Sequence, residues 1–426
     1  MTGKLHFPKM IEVRQAYPSS LQLDFSKSLE EQFNATGVLK EIVPGMRIAV
    51  GVGSRGIANL REIVQAALRL LIAAGARPFV LPAMGSHGGA TPEGQYKVLA
   101  EYGITTESLG VPIETSMEVR RIGSACDGLD VVFSAPALDA DGVIVINRIK
   151  PHTDFHGNLG SGIQKMLTIG FGKQVGAANA HRAAVRLGYE FVLREFSKVI
   201  LETVPVLCGV AIVEDLHHQT AAIEVLRPAD VPREEDRLLA KARSLMPRLP
   251  LDQIDLLIID QIGKEISGTG MDTNIIGREI SGYSTALNHD FSEGPSISRI
   301  FVRDLSPETK GNGIGIGLAD FTTKRAVNQL DLHSMYTNAL TSIGLQPAKI
   351  PIQFETDSEA IQAALATLGS LSSETASVVR IVNTLSLERL LVSESCVDVL
   401  SEKPGVTVLG QAQDMQFNDV GNLQPF

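Results

Sequence analysis

Cysteine is scarce in this 426-residue chain: Cys126, Cys208 and Cys396 are the only three, and no two form a C-x-x-C pair. A disulfide framework, an iron–sulfur cluster and a zinc-thiolate site have no support, and the compartment reads as reducing. Long apolar runs are missing too. No window approaches about eighteen uninterrupted apolar residues, and the start M-T-G-K-L-H-F-P-K lacks the basic and apolar regions of a signal peptide. We expect a cytoplasmic protein with no membrane span. Basic residues are outnumbered, 38 Lys and Arg against 48 Asp and Glu, for a net charge of -10, and they form no block. Phosphate neutralisation needs clustered cations, so a nucleic-acid surface is not expected. Internal repeats and low-complexity segments are also absent.

What is present is ordinary globular composition, 44 % hydrophobic and 20 % charged, in a chain long for a single core. From Arg47 the pattern R-I-A-V-G-V-G-S-R-G reads as a buried strand breaking into a Gly-Ser-Arg turn, with a helix from Leu60 to Ala74 behind it. G-A-R-P-F-V-L-P-A-M-G-S-H-G-G repeats the theme, with Thr91 as N-cap and Pro92 at the first helical position. Strand, glycine turn and helix, twice over, predict β-α-β units and a mainly parallel sheet. Two strands are expected between Val131 and Ile149, a long helix from Ala183 to Ile200, and a charged helical connector from Arg227 to Pro250. The apolar run Ile254 to Ile259 then opens a second unit. The fold class is therefore α/β: two α/β domains, 1–250 and 251–426, with mainly parallel sheets and an active-site cleft between them. The first domain is expected to carry the site and the second to close it.

The stretch from Asn147 to Arg182 looks like that site. It comes after the apolar run Gly142 to Ile146 and sets His152, His156, Lys165, Lys173 and His181 among six glycines. Ligands of parallel sheets gather at the carboxyl ends of strands, where this stretch falls together with Ser54, Arg55, Ser86 and His87. A histidine at such a strand end suits acid–base work or metal ligation, because its ordinary pKa lies near neutrality. Lys165 comes after Gly160, Ser161 and Gly162 in a helix-like segment, so backbone N–H groups and an ammonium could cradle a phosphate. The order G-S-G-I-Q-K-M is not a P-loop, and G-N-G-I-G-I-G at 311–317 is not a dinucleotide fingerprint. His217 and His218, after Glu214 and Asp215, read as a solvated loop, since adjacent residues of an extended chain face opposite ways.

Four pieces together resemble a known family: G-S-R-G (53–56), G-S-H-G-G-A-T (85–91), K-P-H-T-D-F-H-G-N-L-G-S-G-I-Q-K (150–165) and A-N-A-H-R (178–182). In kind, order and approximate spacing they are similar to the nickel-dependent lactate racemases, the nickel-pincer hydroxyacid racemases and epimerases. G-K-E-I-S-G (263–268) extends the likeness more loosely into the second domain.

The resemblance implies a 2-hydroxy acid substrate and a nickel-pincer nucleotide, the pyridinium-3,5-bisthiocarboxylic acid mononucleotide with its Ni ion, supplied by cofactor-biosynthesis proteins. It implies that Lys165 is the covalent tether, with Ser161 and Gly162 beside it, and that His181 is the metal ligand. His87 and His152 match the two bases, Arg55 a carboxylate-binding arginine, and Lys264 a lysine of the second domain that reaches the substrate. The chain departs from the family pattern in two places. Its arginine turn is Val52-Gly53-Ser54-Arg55-Gly56 where the family has Asp-x-Thr-Arg-Pro, and the segment between His152 and Lys165 is longer, adding Asp154 and His156. Either His152 or His156 can be the second base, and a hydroxy acid other than lactate is implied. A homodimer is compatible with this reading. The competing reading is a binding or carrier protein of the same fold, without turnover, for a phosphate-bearing ligand or the nickel cofactor. A metal-independent hydrolase built on His87 lacks a nucleophile.

Overall fold

The computed structural model describes residues 6–17, 23–53, 56–126, 128–153, 155, 157–278, 280, 294–369 and 372–425. Ser54, Arg55, Asp154 and His156 lie outside them. The chain is mixed α/β and forms two compact units. One holds the described residues of 19–152 and 156–246, the other those of 1–18 and 247–426 with Thr153 and Phe155. Among the described residues, no helix is long and apolar enough to cross a membrane.

The first unit is built on a five-stranded sheet in the order Arg77–Pro82, Arg47–Val52, Gly142–Arg148, Val206–Glu214, Thr220–Leu226. The first four strands are parallel and the last is antiparallel. Gly142 to Ile146 is buried at every position, the pattern of a central strand covered on both faces. The helix Leu60–Ala73 supplies one cover, burying Leu60, Ile63, Val64, Ala67, Leu68 and Leu71 at helical spacing. Thr91 caps the helix Pro92–Glu101 by accepting from Gly94 N–H, as its sequence predicts.

The span Val131 to Ile149 supplies its two strands: Gly142–Arg148 lies in this sheet, and Leu129–Ser134 pairs antiparallel with Val119–Ala125 in a separate hairpin. That hairpin packs on the helices Lys173–Leu187 and Tyr189–Thr203, and Phe133 stacks on Phe171 with centroids 4.7 Å apart. Two expectations need correction. The single long helix expected from Ala183 to Ile200 is two helices broken at Gly188. Its φ of 84° and ψ of 147° lie outside helical space and are open to glycine alone at low cost. The N-terminal strand Met10–Gln15, whose sequence reads as a lead-in to the first unit, is inserted in the sheet of the second. It pairs antiparallel with Arg389–Ser393 and Val406–Gln413, which lets Met10, Ile11 and Val13 be buried.

The second unit has an eight-stranded sheet. Ile352–Phe354, Phe321–Thr323, Ser296–Leu305, Gln253–Ile262 and Val378–Ile381 run parallel. Arg389–Ser393, Met10–Gln15 and Val406–Gln413 complete it through antiparallel pairings. Helix Asp357–Ala366 opens with a capping box between Thr356 and Glu359 and buries Ala360, Ile361, Ala364 and Leu365 against the sheet. Its first residue, Asp357, is wholly buried and holds Arg303 at 2.8 Å and Arg325 at 3.2 Å.

Candidate active site in the first unit

The loop after Arg148 is closed at its base by a pair of backbone bonds, Lys150 N–H to Ser161 O at 3.0 Å and Ser161 N–H to Lys150 O at 2.8 Å. Residues between them can vary in number without moving the chain beyond Ser161. That chain runs through Gly162 into Ile163–Lys165 in a helical turn, then a π-helical turn over Met166–Gly170 and the helix Lys173–Leu187. Single π turns inside helices recur at functional sites, since one extra residue re-aims the side chains around it. Lys165 is the last residue before that turn and is half-buried.

The start of this segment is held from outside. Gly162 O accepts from Asn147 Nδ2 at 2.9 Å, and Gln164 N–H donates to Glu235 Oε2 at 3.1 Å. Glu235 comes from the helix Val231–Ser244, the charged connector of the sequence, and acts as a carboxylate cap delivered by another helix. A β-carbon at position 162 would stand 1.8 Å from Glu235 Oε1, so only glycine lets the carboxylate in. Oε1 itself and Gln164 Nε2 meet no hydrogen-bond partner among the described residues, while Gln164 Oε1 accepts from Ser197 Oγ at 3.0 Å. Burial pushes the Glu235 carboxyl up to about 7, against the opposing effect of its bond from Gln164 N–H. The helix-start N–H that a phosphate cradle at Ser161 and Gly162 would use is thus already bonded to a protein carboxylate.

Lys165 and His181 are brought together. Burial first, and the Lys165 charge second, lower the His181 imidazole to about 4, so it is neutral at ordinary pH with a lone pair to offer. The Tyr189 hydroxyl oxygen is 2.5 Å from His181 Nδ1 and 3.2 Å from Nε2. His152 joins the group through the same tyrosine, its ring 6.0 Å from that of Tyr189 at 21°. Among the described residues, no three His, Cys, Asp or Glu side chains stand close enough to hold a metal ion by themselves.

His87 sits half-buried in the turn after Arg77–Pro82, at the carboxyl end of that strand. Two residues with no assigned role shape its loop. Gln95, fully buried, donates from Nε2 to Gly85 O at 2.9 Å and His87 O at 3.3 Å. Its Oε1 accepts from Lys173 Nζ at 3.0 Å, and Lys173 also donates to Pro82 O at 2.6 Å. Lys173 has no exposed surface, its φ is 54°, and burial lowers its ammonium to about 8. A buried lysine in a strained backbone conformation at a helix start is a costly arrangement, kept where the surroundings over-determine it. It ties the His87 turn to the helix that carries His181.

Elsewhere at the carboxyl ends of the strands, Arg148 and Glu214 form a partly buried ion pair, and Glu214 also accepts from Ala58 N–H at 2.7 Å. Asp215 Oδ1 accepts from His217 N–H and Gln219 N–H, which makes its carboxylate the organiser of its own turn. Lys264 belongs to the second unit, where its Nζ donates to Gly268 O at 2.9 Å and its N–H to Thr309 Oγ1 at 3.1 Å. Arg55 and His156 are outside the described residues.

No protein-family model matches the chain, and no curated protein matches it significantly. Among solved structures it is similar to the lactate racemase apoprotein from Thermoanaerobacterium thermosaccharolyticum, with a TM-score of 0.52 over 89 % of this chain and 99 % of that one, at 12 % identity. The fold is shared with a racemase. At that identity the likeness is one of architecture, and it extends over both α/β units. The racemase-like fold gives no role to any single residue, and the side-chain groups of the site rest on their own geometry.

The sequence drew attention to His87 and His152 because they stand in loops after apolar strands, and to Lys165 and His181 because they lie in the glycine-containing stretch that continues from the second of these. It contained no comparable signal for Tyr189, Gln95 or Glu235. Each of those lies in a helix of ordinary composition and meets the site only through the fold.

Proposed function

We propose that the protein is an isomerase, a racemase or epimerase of a small 2-hydroxy acid that works with a lysine-tethered nickel-pincer nucleotide. The observation that carries this reading is the convergence of Lys165, His181 and His152. In support, the Lys165 charge is felt at the neutral imidazole of His181, and His181 and His152 share one buried tyrosine as a neighbour. The residues fit the group in two respects: Lys165 is half-buried within electrostatic reach of His181, and His181 stays unprotonated far below neutral pH. They fit less well in a third, because Glu235 already caps the helix start beside Ser161 and Gly162. Those two residues then border the tethered group and leave its phosphate to other donors.

In this reading Lys165 holds the group covalently and His181 supplies one imidazole to the nickel. The bound group provides an acceptor for hydride from the carbon that bears the hydroxyl. The chain's own work is acid–base and orientation. His87 and His152, or His156 in place of His152, take and return the hydroxyl proton, one for each face of the substrate. Arg55 grips the substrate carboxylate through paired N–H donors, and Lys264 adds a second cation. The same two-base logic runs in both directions, as interconversion of stereoisomers requires.

The test is made on protein produced together with the cofactor-making enzymes. The peptide that contains Lys165 should carry an added mononucleotide-sized mass, nickel should copurify, and Lys165→Ala should remove both. The loaded protein should exchange the α-hydrogen and change the optical rotation of one or more 2-hydroxy acids from a panel of small, acidic and sugar-derived members. Loading without exchange on any member would favour the carrier reading. An unmodified Lys165 in active protein would overturn the mechanism.

A further inference from the structure

The helix Lys173–Leu187 ends on Gly188, whose φ of 84° swings the chain around, and Tyr189 is the first residue of the next helix. The reversal leaves Tyr189 4 % exposed, facing back toward the helix the chain has just left. A buried tyrosine needs a partner for its hydroxyl, and the partner here is His181, whose Nδ1 at 2.5 Å is the nearer nitrogen and whose Nε2 is at 3.2 Å, with the two rings 80° apart and their centroids 5.5 Å apart. Nearly parallel to the same ring is His152, at 6.0 Å and 21°. His152 comes from the loop after the strand Gly142–Arg148, and His181 comes from a helix beyond the π turn. Tyr189 is a ring neighbour of both.

We propose that Tyr189 is a positioning residue that locks the tautomer and plane of His181 through its hydroxyl and the plane of His152 through its ring. The two imidazoles then hold one relative orientation. This rests on the reading of His181 as metal ligand and His152 as base. An imidazole offers a metal one nitrogen, and a hydrogen bond at the other nitrogen decides which one. A hydroxyl can serve in both states of the site, donating to an unprotonated ring nitrogen or accepting from a ring N–H. Because the same side chain also lies against His152, a shift of one histidine is transmitted to the other. Neither histidine can then be re-aimed alone.

The apoprotein tests this without any cofactor. In histidine labelled with ¹⁵N, long-range ¹H–¹⁵N spectra report the tautomer of each of the 9 histidines. His181 should populate a single tautomer in the wild type. Tyr189→Phe, which keeps the ring, should shift the His181 nitrogens toward a mixture and leave those of His152 nearly in place. Tyr189→Leu, which removes ring and hydroxyl, should move both. In loaded enzyme, Tyr189→Phe should weaken nickel retention against a chelator by roughly 10-fold to 100-fold, the range for loss of a partner behind a ligating histidine. It should lower kcat with KM nearly unchanged. Unmoved His181 nitrogens in folded Tyr189→Phe would overturn the proposal. So would an unmoved His152 in folded Tyr189→Leu. The phenylalanine variant, nearly isosteric, carries the test if the leucine variant does not fold. If wild-type protein takes up no nickel, the functional reading fails, and the spectra still decide the role of Tyr189.

Discussion

Replacing Glu235 by glutamine takes an ionisable group out of a place with almost no water. Glu235 is 1 % exposed, its Oε1 has no partner among the described residues, and burial lifts its carboxyl from 4.5 to about 7. Below pH 4.5 both folded and unfolded chains hold the proton, so the group adds no pH dependence. Between pH 4.5 and about 7 the unfolded chain gives up the proton and the folded chain keeps it. Stability therefore falls as pH rises through that window, and the cost is constant above it. At about 1.4 kcal/mol per pH unit, the full cost is about 3 kcal/mol. That figure already contains the bond to Gln164, which opposes the shift. Glutamine keeps the shape and an oxygen acceptor for Gln164 N–H but cannot ionise. Glu235→Gln should thus match the wild type near about pH 4 and exceed it by about 3 kcal/mol near about pH 8. The assay is urea unfolding monitored by circular dichroism at several pH values, with hydrogen exchange on the segment 162–170 to assign the transition to this unit. A stability difference that stays flat with pH, or a wild type more stable at the alkaline end, would refute the buried-carboxylate argument.

Lys173 gives the opposite sign at higher pH: its folded ammonium titrates at about 8 and the unfolded one at 10.5, so wild-type stability should rise across that window while Lys173→Met shows no such rise in the same urea series. Gln95→Leu strips Gly85 O and His87 O of a donor and leaves Lys173 Nζ with one acceptor fewer; we expect a loss of about 1–3 kcal/mol per buried group left unpaired, faster hydrogen exchange over residues 85–90, and lower turnover. Asp357→Ala takes from Arg303 and Arg325 one of two carboxylates each, leaving them Asp260 and Asp304, and strips Leu423 N–H of its acceptor; the second unit should lose about 1–3 kcal/mol in chemical denaturation, with exchange in the helix Leu60–Ala73 unchanged.

Much of the fold was legible because its signals are local. Buried strands ending in glycine turns and helices with apolar residues at helical spacing are both set by neighbours within a few residues. Arg47–Val52, Arg77–Pro82, the Thr91 cap and Gln253–Ile262 all arise from such patterns. The misreadings are failures of long-range information. Nothing in M-I-E-V-R-Q says that this strand pairs with residues 389–393 and 406–413, since its alternation fits any sheet with a free edge. Nor does the strand Leu129–Ser134 announce that its partner is Val119–Ala125 in a hairpin of its own and not a strand of the main sheet. Gly188 was visible as a glycine but not as a break, because an isolated glycine within a helical pattern is tolerated as often as it ends one.

The site divides along the same line. Groups proposed to meet substrate or cofactor lie in, or shortly after, glycine-rich stretches that mark them in the sequence, even where, as for Lys165 and His181, the residue itself is helical. Groups that hold those loops in place carry no such mark. Tyr189, Gln95 and Glu235 need only be long enough to reach and buried enough for each hydrogen bond to count, and many positions of an ordinary helix meet both conditions. Their identity is therefore set by distance in the folded chain: 2.5 Å from His181, 2.9 Å from Gly85 O, 3.1 Å from Gln164 N. The loop from Pro151 to Gly160 shows the converse. The paired backbone bonds between Lys150 and Ser161 close it at its base, ahead of the helical turn that carries Lys165. If the proposed function holds, changes of length or charge in that loop should alter substrate preference while Lys165 and His181 keep their places.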